Sequence, residues 1–186
     1  MASWLMPDRV FSHFYDLSAD YLAACGIKAL IIDIDNTLAP YEQPEPDERI
    51  ISWLDSLKKN GIGAAFVSNN ENERIEVFNK ALGLPAYAKS GKPFAKNLKR
   101  AMAAMGSDES NTAVLGDQLL TDVCAGKHIG LRAFLVPPIK DRTSVFFRIK
   151  RALEVPTIRK YAASDPDGSA ACDFWVNKRF SRKNNK

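Results

Sequence analysis

Long apolar runs are missing from this chain of 186 residues. No stretch approaches the roughly 18 uninterrupted apolar residues that a membrane-spanning helix needs, and the opening MASWLM is too short and lacks the charged start of a secretory signal. We therefore expect a cytoplasmic protein. With 46% hydrophobic and 26% charged residues, the composition is that of one globular domain with an appendage.

Cysteine and histidine are scarce. The three cysteines, Cys25, Cys124 and Cys172, are widely spaced and odd in number, which argues against a disulfide framework and against a zinc site. His13 and His128 have no partner at metal-ligand spacing. We interpret the cysteines as small buried side chains and the histidines as structural or exposed.

Acidic residues are sparse toward the carboxyl end. The formal charge of the chain is +4, yet residues 140–186 contain 12 of the 26 Lys and Arg but 5 of the 22 Asp and Glu, so this segment carries +7 and the rest −3. A basic tail on a mildly acidic body can bind nucleic acid, anionic lipid or an acidic protein, or it can simply be solvated.

Between residues 27 and 136, short apolar runs alternate with longer amphipathic stretches, which predicts repeated βαβ units around a parallel sheet. Pro137 and Pro138 follow the last of these runs, so we divide the chain into a compact domain, 1–139, and a basic helical extension, 140–186. The five predicted strands are at residues 28–32, 63–67, 86–88, 112–115 and 132–136. Helices are predicted at about 47–60, 72–82, 92–105 and 119–128.

Two carboxylates, Asp33 and Asp35, come directly after the first predicted strand, where an open α/β sheet presents strand ends to ligands. A carboxylate can attack phosphorus to form an aspartyl-phosphate, and a second one can protonate the leaving oxygen and then activate water. An isolated Asp-x-Asp more often caps the next loop. The catalytic interpretation of this pair therefore depends on the motifs that follow.

Two further polar motifs can bind a phosphoryl group. Ser68 and Asn69 follow the second strand, where a hydroxyl and the backbone N–H groups after it can hold phosphoryl oxygens. Lys92, followed by a proline, is at the predicted start of a helix and would add its charge to the positive helix end. Phosphoryl transfer needs such a fixed cation. Each motif alone would be an ordinary turn or surface feature, but together they predict Ser68, Asn69 and Lys92 as phosphate-binding residues.

The fourth predicted strand runs into Gly116 and Asp117, and Asp122 follows five residues after Asp117. Magnesium prefers hard oxygen ligands and usually takes few carboxylates together with phosphate and water. The sequence therefore predicts Asp33, Asp117 and Asp122 as carboxylates that supply ligands to Mg²⁺.

In this order the residues resemble the haloacid dehalogenase (HAD) superfamily, whose motifs read DxDxT, Ser or Thr after the second strand, Lys, and GDxxxxD. The resemblance implies a Rossmann-like (HAD-like) three-layer α/β sandwich with a five-stranded parallel sheet. It implies Mg²⁺ bound by Asp33, the backbone carbonyl of Asp35 and Asp117, with Asp122 as a ligand through water or as a partner of Lys92. It also implies phosphate ester hydrolysis, because the superfamily's phosphatases carry aspartate at the position of Asp35.

Residues 5–139 are further similar to the YqeG family of subclass IIIA phosphatases, through LMPDRVF, IDIDNTLAPYEQPEP, FVSNNENER, GKPF and LGDQLLTDVCAG. That family is similar to mitochondrial phosphatidylglycerophosphate phosphatases, which implies a phospholipid phosphate as substrate. The predicted function is thus a magnesium-dependent phosphatase acting on phosphomonoesters through an aspartyl-phosphate. A phosphotransferase and a phosphatase-like module that only binds membrane or nucleic acid are the alternatives.

The spacing of the motifs bears on access to the site. Asp35 to Ser68 spans 33 positions and Ser68 to Lys92 spans 24, which leaves no room for a large cap domain. An uncovered site admits bulky substrates, and its selectivity must come from its rim or from a partner. Candidates for the rim are Arg9, Arg74 and Lys89.

The basic tail could also bring a lipid substrate to the site by binding a membrane. A cationic amphipathic helix near residues 143–153 could lie on the inner face of an anionic membrane. Alternatively, it would pack Phe146 and Phe147 against the compact domain and leave its charges in water. Contact between subunits is a further alternative, and nucleic acid is the least favoured partner.

Overall fold

The computed structural model describes residues 3–140, 145–165 and 169–176. Six strands form one parallel sheet in the order β1-β6-β5-β2-β3-β4. These strands are β1 (Arg9–Val10), β2 (Ala29–Ile32), β3 (Gly63–Val67), β4 (Ala86–Tyr87), β5 (Thr112–Gly116) and β6 (Arg132–Leu135). The helices are α1 (Ala19–Ala24), α2 (Glu48–Lys59), α3 (Asn72–Asn79), α4 (Lys96–Met105), α5 (Cys124–His128), α6 (Val145–Ser164) and α7 (Asp173–Val176).

Helices cover both faces of the sheet. Successive residues of a strand point to opposite faces, so each strand contributes side chains to two buried clusters. Leu30 and Ile32 of β2 lie in a buried cluster with residues of α2 and α3, whereas Ile31 lies in a second cluster with residues of α4 and α5. Burial on both faces accounts for the unbroken apolar sequence of this strand. The predicted three-layer α/β sandwich is confirmed.

The sheet has one strand more than the five predicted. β1 is only two residues long, too short for any periodicity to reveal it. It is held against β6 by hydrogen bonds from Asp8 N to Ala133 O (2.8 Å) and from Phe11 N to Leu135 O (2.9 Å). The segment 33–92 contains α2, β3, α3 and β4 and no inserted cap domain, and the structure describes all of it.

The helix predicted from residue 92 begins later than expected. α4 starts at Lys96, so the prediction that Lys92 stands at a helix N-terminus is wrong. The side chain of Asn69 accepts a hydrogen bond from Lys92 N (2.8 Å) and donates one to Lys92 O (3.2 Å). These bonds satisfy the backbone of Lys92 in a turn, and helical hydrogen bonding begins only after it.

The carboxyl-terminal helices pack on the sheet edge formed by β1 and β6. Ile158 and Tyr161 of α6 and Trp175 of α7 share a buried cluster with Val10 and Leu135. The Tyr161 hydroxyl also accepts a hydrogen bond from Val10 N (3.1 Å). The division of the chain after residue 139 stays a prediction, although residues on both sides of it share this cluster.

α6 is longer than predicted and is rotated so that part of its apolar side faces water. Ile149 and Leu153 are exposed by 57% and 63%, whereas Arg151 is buried. The expectation that the charges of this helix face water is therefore wrong for Arg151. Residue 143 and the side chain of Phe146 lie outside the described residues. Among those described, no helix is both long enough and apolar enough to cross a membrane.

The three cysteines and His128 lie in environments that indicate packing roles. Cys124 and Cys172 are buried, as predicted, and Cys25 is half-buried. The His128 ring stacks on Trp4 with ring centroids 5.3 Å apart. These environments give none of these side chains a role at the site described below.

Candidate active site

The carboxyl ends of β2, β3 and β5 meet in one cleft. β3 lies on one side of β2 and β5 on the other, so strands are added in opposite directions from β2. Open α/β sheets bind their ligands at such a switch point. The walls of the cleft include the predicted residues Asp33, Asp35, Ser68, Asn69, Lys92 and Asp122.

Lys92 is the cation at the centre of the cleft. Its Nζ lies 2.6 Å from Asp33 Oδ1 and 2.6 Å from Asp122 Oδ1, and it donates a hydrogen bond to Val67 O (2.8 Å). The other oxygen of Asp33 accepts a hydrogen bond from Thr37 Oγ1 (3.3 Å). The ammonium group is thus fixed beside the predicted nucleophile by three oxygens, although it stands in a turn and not on a helix.

Asp35 has partners of its own. Its Oδ2 accepts hydrogen bonds from Asn70 Nδ2 (3.0 Å) and from Ser68 Oγ (3.4 Å), and its Oδ1 accepts one from Arg74 Nε (3.3 Å). Arg74 also donates to Pro44 O (2.9 Å), which ties the loop before α2 to the site. The structure therefore brings Asp35 and Ser68 together and adds Asn70, which the sequence had not singled out for this contact.

One of the three rim candidates reaches a predicted catalytic side chain. Arg74 contacts Asp35, whereas Lys89 forms an exposed ion pair with Glu71 (2.6 Å) and Arg9 lies over the ring of Tyr21 (5.3 Å). Among the described residues, Arg74 is thus the rim cation with a place in the site.

The side chain of Asn69 is committed to the turn that carries Lys92. Its Oδ1 accepts hydrogen bonds from Ser90 Oγ (2.7 Å) and Lys92 N (2.8 Å). A contact of Asn69 with substrate would therefore come from its backbone N–H, as the sequence predicted. The side chain instead fixes the distance between the end of β3 and Lys92.

Three carboxylates lie together at the base of the cleft. Asp33, Asp117 and Asp122 are buried, and each offers an oxygen within 4.8 Å of the others. The carboxylate of Asp35 is not in this cluster and contacts Arg74 instead. This arrangement is compatible with the expectation that Asp35 would use its backbone carbonyl toward a metal.

Burial and the neighbouring carboxylates raise the pKa values of Asp33 and Asp117. Burial raises the pKa of Asp33 to about 8; Lys92 opposes this shift, and the Asp122 and Asp117 carboxylates add to it. Burial also raises the pKa of Asp117 to about 6, against the opposing charge of Arg151. For Lys92, burial acts to lower the pKa, but the Asp122 and Asp33 carboxylates outweigh it and raise the pKa above its usual value.

The site has more buried negative charge than positive charge. Asp35 is balanced by Arg74, but the remaining four carboxylates face two buried cations, so the described cluster is left with two formal negative charges. The four acids are Asp33, Asp117, Asp122 and Glu154, and the two cations are Lys92 and Arg151. An excess of two charges among hard oxygen donors fits one divalent cation such as Mg²⁺.

Gly116 is required by the close approach of Asp122. A Cβ atom at residue 116 would lie 2.3 Å from Asp122 Cγ, closer than any real contact. Asp122 is folded back onto the end of β5, where its Oδ2 accepts a hydrogen bond from Gln118 N (3.2 Å). The glycine of the GDxxxxD motif therefore sets how near the second aspartate lies to the first.

Sequence reasoning missed two buried residues of α6 beside the carboxylates, namely Arg151, which contacts Asp117, and Glu154, which contacts Arg151. Arg151 forms an ion pair with Asp117 Oδ2 (2.7 Å) and another with Glu154 (2.8 Å). Glu154 is the single acid among the 20 residues of α6. An isolated acid three positions after an arginine in a basic helix is the one feature of the sequence that could have marked them.

Comparison with known proteins adds independent evidence. The HAD-hydrolase-like family model matches residues 89–142. The probable phosphatase YqeG of Bacillus subtilis (strain 168) is 32% identical over 154 residues, which cover 83% of this chain and 90% of that protein. The family-model match contains Lys92, Asp117 and Asp122, whereas Asp33, Asp35 and Ser68 lie before it.

Solved structures show a similar architecture. An uncharacterized protein from Listeria monocytogenes serotype 4b aligns with a TM-score of 0.50 at 16% identity, over 63% of this chain and 85% of that one. A putative 3-deoxy-D-manno-octulosonate 8-phosphate phosphatase from Vibrio cholerae aligns with a TM-score of 0.49 at 18% identity, over 64% and 72%. At 16% identity, the likeness to the Listeria protein concerns the fold alone.

Proposed function

This chain belongs to the YqeG family of HAD-like phosphatases, and we propose that it hydrolyses phosphomonoesters through a phosphorylated Asp33 with Mg²⁺ in the site. The observation that carries this proposal is the contact of the Asp33 carboxylate with the buried Lys92 ammonium (2.6 Å) at the open end of β2. A nucleophile and a fixed cation that both contact one phosphoryl group are the two main needs of phosphoryl transfer.

Two steps complete the reaction. In the substrate complex, an oxygen of the ionised Asp33 carboxylate attacks phosphorus as the bond from phosphorus to the ester oxygen breaks, and Asp35, in its protonated form, donates its proton to the departing alkoxide. Water then attacks the phosphorus of the aspartyl-phosphate, Asp35 takes a proton from that water, and phosphate leaves with the Asp33 carboxylate restored. Lys92 and the Ser68 hydroxyl hold the phosphoryl oxygens in both steps. Arg74 and Asn70 keep Asp35 beside Ser68.

The residues present fit a magnesium site. Asp33, the backbone carbonyl of Asp35 and Asp117 would hold the ion, and Asp122 would act through water or as the partner of Lys92. The bound ion supplies positive charge that offsets the charge of the phosphoryl oxygens and of the clustered carboxylates. The excess of two negative charges supports this assignment.

Removal of magnesium tests the proposal. We expect release of phosphate from p-nitrophenyl phosphate to stop after treatment with a chelator and to return with added Mg²⁺. We also expect Mg²⁺ to raise the melting temperature more at about pH 8 than at about pH 5.5. Protons occupy Asp33 below its pKa of about 8 and Asp117 below about 6, and they compete with the metal. An equal or larger rise at the lower pH would contradict the assignment, as would full activity in the chelator.

The substrate we propose is a bulky phosphate ester, namely a phospholipid phosphate such as phosphatidylglycerophosphate. The segment between Asp35 and Lys92 contributes no cap, so a large alcohol group is not excluded from the cleft. Tyr41, which is 42% exposed, lies at the cleft wall and offers an aromatic surface at the mouth. The similarity of the family to mitochondrial phosphatidylglycerophosphate phosphatases supports the same class.

The outer face of α6 supports contact with an anionic membrane at the cytoplasmic side. Ile149 and Leu153 lie one helical turn apart and are exposed. Arg148, Arg159 and Lys160 are exposed on the same helix, and its single acid is buried. An apolar stripe with cations beside it matches the chemistry of an anionic lipid surface.

Vesicle binding tests this part of the proposal. We expect the double substitution Ile149→Ser and Leu153→Ser to weaken binding to vesicles rich in phosphatidylglycerol at least about tenfold, because each exposed side chain loses roughly 1.5–3 kcal/mol of burial. Hydrolysis of p-nitrophenyl phosphate should not change. Ile51→Ser, at an exposed isoleucine of α2, is the matched control. Activity confined to small sugar phosphates, or unchanged vesicle binding by the double variant, would contradict the lipid proposal.

A further inference from the structure

The inner face of α6 contacts the segment that follows β5. Three residues of one helical turn, Lys150, Arg151 and Glu154, bind three consecutive residues of the segment 117–119. That segment begins with Asp117 and leads into the turn of π-helix Leu119–Val123, which carries Asp122. The contacts that fix residues 117–119 therefore determine the positions of Asp117 and Asp122.

Arg151 binds Asp117 twice. Its NH1 donates to the backbone carbonyl of Asp117 (2.8 Å), and its NH2 donates to Asp117 Oδ2 (2.7 Å). The other carboxylate oxygen, Oδ1, accepts a longer bond from Gln118 Nε2 (3.3 Å). Because main chain and side chain are held by one rigid planar group, both the position of Asp117 and the rotation of its carboxylate are fixed.

Glu154 binds both Arg151 and the backbone of the segment 117–119. Its Oε2 accepts a hydrogen bond from Arg151 NH1 (2.8 Å), and its Oε1 accepts one from Leu119 N (2.9 Å). Leu119 opens the π-helical turn, where its backbone N–H has no partner within the turn itself. Glu154 therefore orients Arg151 and anchors the start of the turn at the same time.

The burial of this pair points to a role other than stability. Arg151 is 8% exposed and Glu154 is 1% exposed. A buried ion pair contributes little net stability, since apolar residues of similar volume often serve as well or better, but it can specify one arrangement among several. The arrangement specified here is that of Asp117, whose Oδ2 is taken by the guanidinium while Oδ1 is left for a cation that can displace the weaker bond from Gln118.

We propose that Arg151 and Glu154 are positioning residues that hold Asp117 in the orientation needed to bind the metal. The inference rests on the proposed function, because it takes Asp117 as a magnesium ligand. α6 would then have two separate functions: its buried face positions Asp117, and its exposed face binds the membrane.

Magnesium affinity measured by isothermal titration calorimetry tests the inference without relying on activity. Arg151→Lys keeps the positive charge but replaces the planar fork with a single ammonium, and we expect the dissociation constant for Mg²⁺ to rise about tenfold. Arg151→Met removes the charge too, and we expect a rise of up to about 100-fold. Glu154→Gln should produce a smaller rise. Arg148→Met, on the exposed side of the same helix, is the matched control and should bind Mg²⁺ as the unmodified protein does.

Kinetics at saturating Mg²⁺ provide a second readout. If Arg151 acts through the metal site, kcat of Arg151→Lys for p-nitrophenyl phosphate approaches that of the unmodified protein once Mg²⁺ is high, with KM unchanged. A residue needed only for folding would lower activity at each Mg²⁺ concentration by no more than the unfolded fraction measured at that concentration, since bound Mg²⁺ itself favours the folded state. Arg151→Lys keeps this test available if Arg151→Met does not fold.

The outcomes separate the two proposals. If the unmodified protein binds no Mg²⁺, the proposed function fails. If it binds Mg²⁺ and the Arg151 variants bind with the same affinity, the positioning role is refuted while the function stands. Tighter binding by the variants would also refute it, because Arg151 would then compete with the metal for Asp117.

Discussion

We expect Asp33→Asn to abolish hydrolysis of p-nitrophenyl phosphate, by at least about 10⁴-fold, because an amide cannot form the aspartyl-phosphate. We expect the same substitution to stabilise the metal-free protein at about pH 8. The pKa of Asp33 is raised on folding from 3.8 to about 8, so the folded state favours the protonated, neutral side chain. The stability linked to that proton is present at low pH and is lost as the pH rises toward 8. Asparagine is neutral throughout and avoids this loss.

Phosphate release and thermal melting in the presence of a chelator measure the two effects. The melting temperature of Asp33→Asn should exceed that of the unmodified protein near pH 8, and the difference should shrink as the pH falls toward 4. Asp55→Asn, at an exposed position on α2, controls for the loss of one acid and should change neither quantity. Activity within tenfold of the unmodified protein would remove Asp33 from the nucleophile role.

Lys92→Met has the second large effect, and its effect on stability has the opposite sign. The substitution leaves Asp33 and Asp122 without the ammonium that lies 2.6 Å from each. Removing one partner of a buried ion pair costs about 3–5 kcal/mol, which corresponds to a melting temperature lower by roughly 10 °C in a chain of this size. Activity should fall about 10²- to 10³-fold, because a fixed charge beside the phosphoryl oxygens is lost.

The measurement for Lys92→Met is again thermal melting without metal at about pH 8, together with phosphate release. Lys99→Met, at an exposed position on α4, is the control and should leave both unchanged. We thus expect both Asp33→Asn and Lys92→Met to inactivate the enzyme, but Asp33→Asn to raise and Lys92→Met to lower the stability of the metal-free protein. An unchanged melting temperature for Lys92→Met would mean that the excess of buried negative charge has been assigned wrongly.

Most of the site could be predicted from the sequence because its residues stand at the ends of buried strands. A strand covered on both faces has an unbroken apolar sequence, so the first polar residues after it are conspicuous. Asp33, Ser68 and Asp117 were found in this way, and the structure brings all three to one edge of the sheet. Their roles in catalysis and metal binding remain predictions.

The errors arose where long-range contacts override local pattern. Lys92 was placed on a helix because Gly-Lys-Pro is typical of a helix start, but the side chain of Asn69, more than 20 positions earlier, satisfies its backbone. Basic residues surround Arg151, and one of the alternatives left open by the sequence has all charges of its helix in water. The partner of Arg151, Asp117, is 34 positions away, and a single sequence does not display that pairing.

Both edges of the sheet are short, and this has a consequence for solubility. An exposed strand edge offers unpaired backbone groups on which a second chain can add a strand and start aggregation. Here β4 at one edge has two residues, and at the other edge the backbone N–H of Val10 in β1 is capped by the Tyr161 hydroxyl of α6. A chain cut before α6 would uncover the Val10 N–H of β1, and we therefore expect such a chain to self-associate more readily than the full chain.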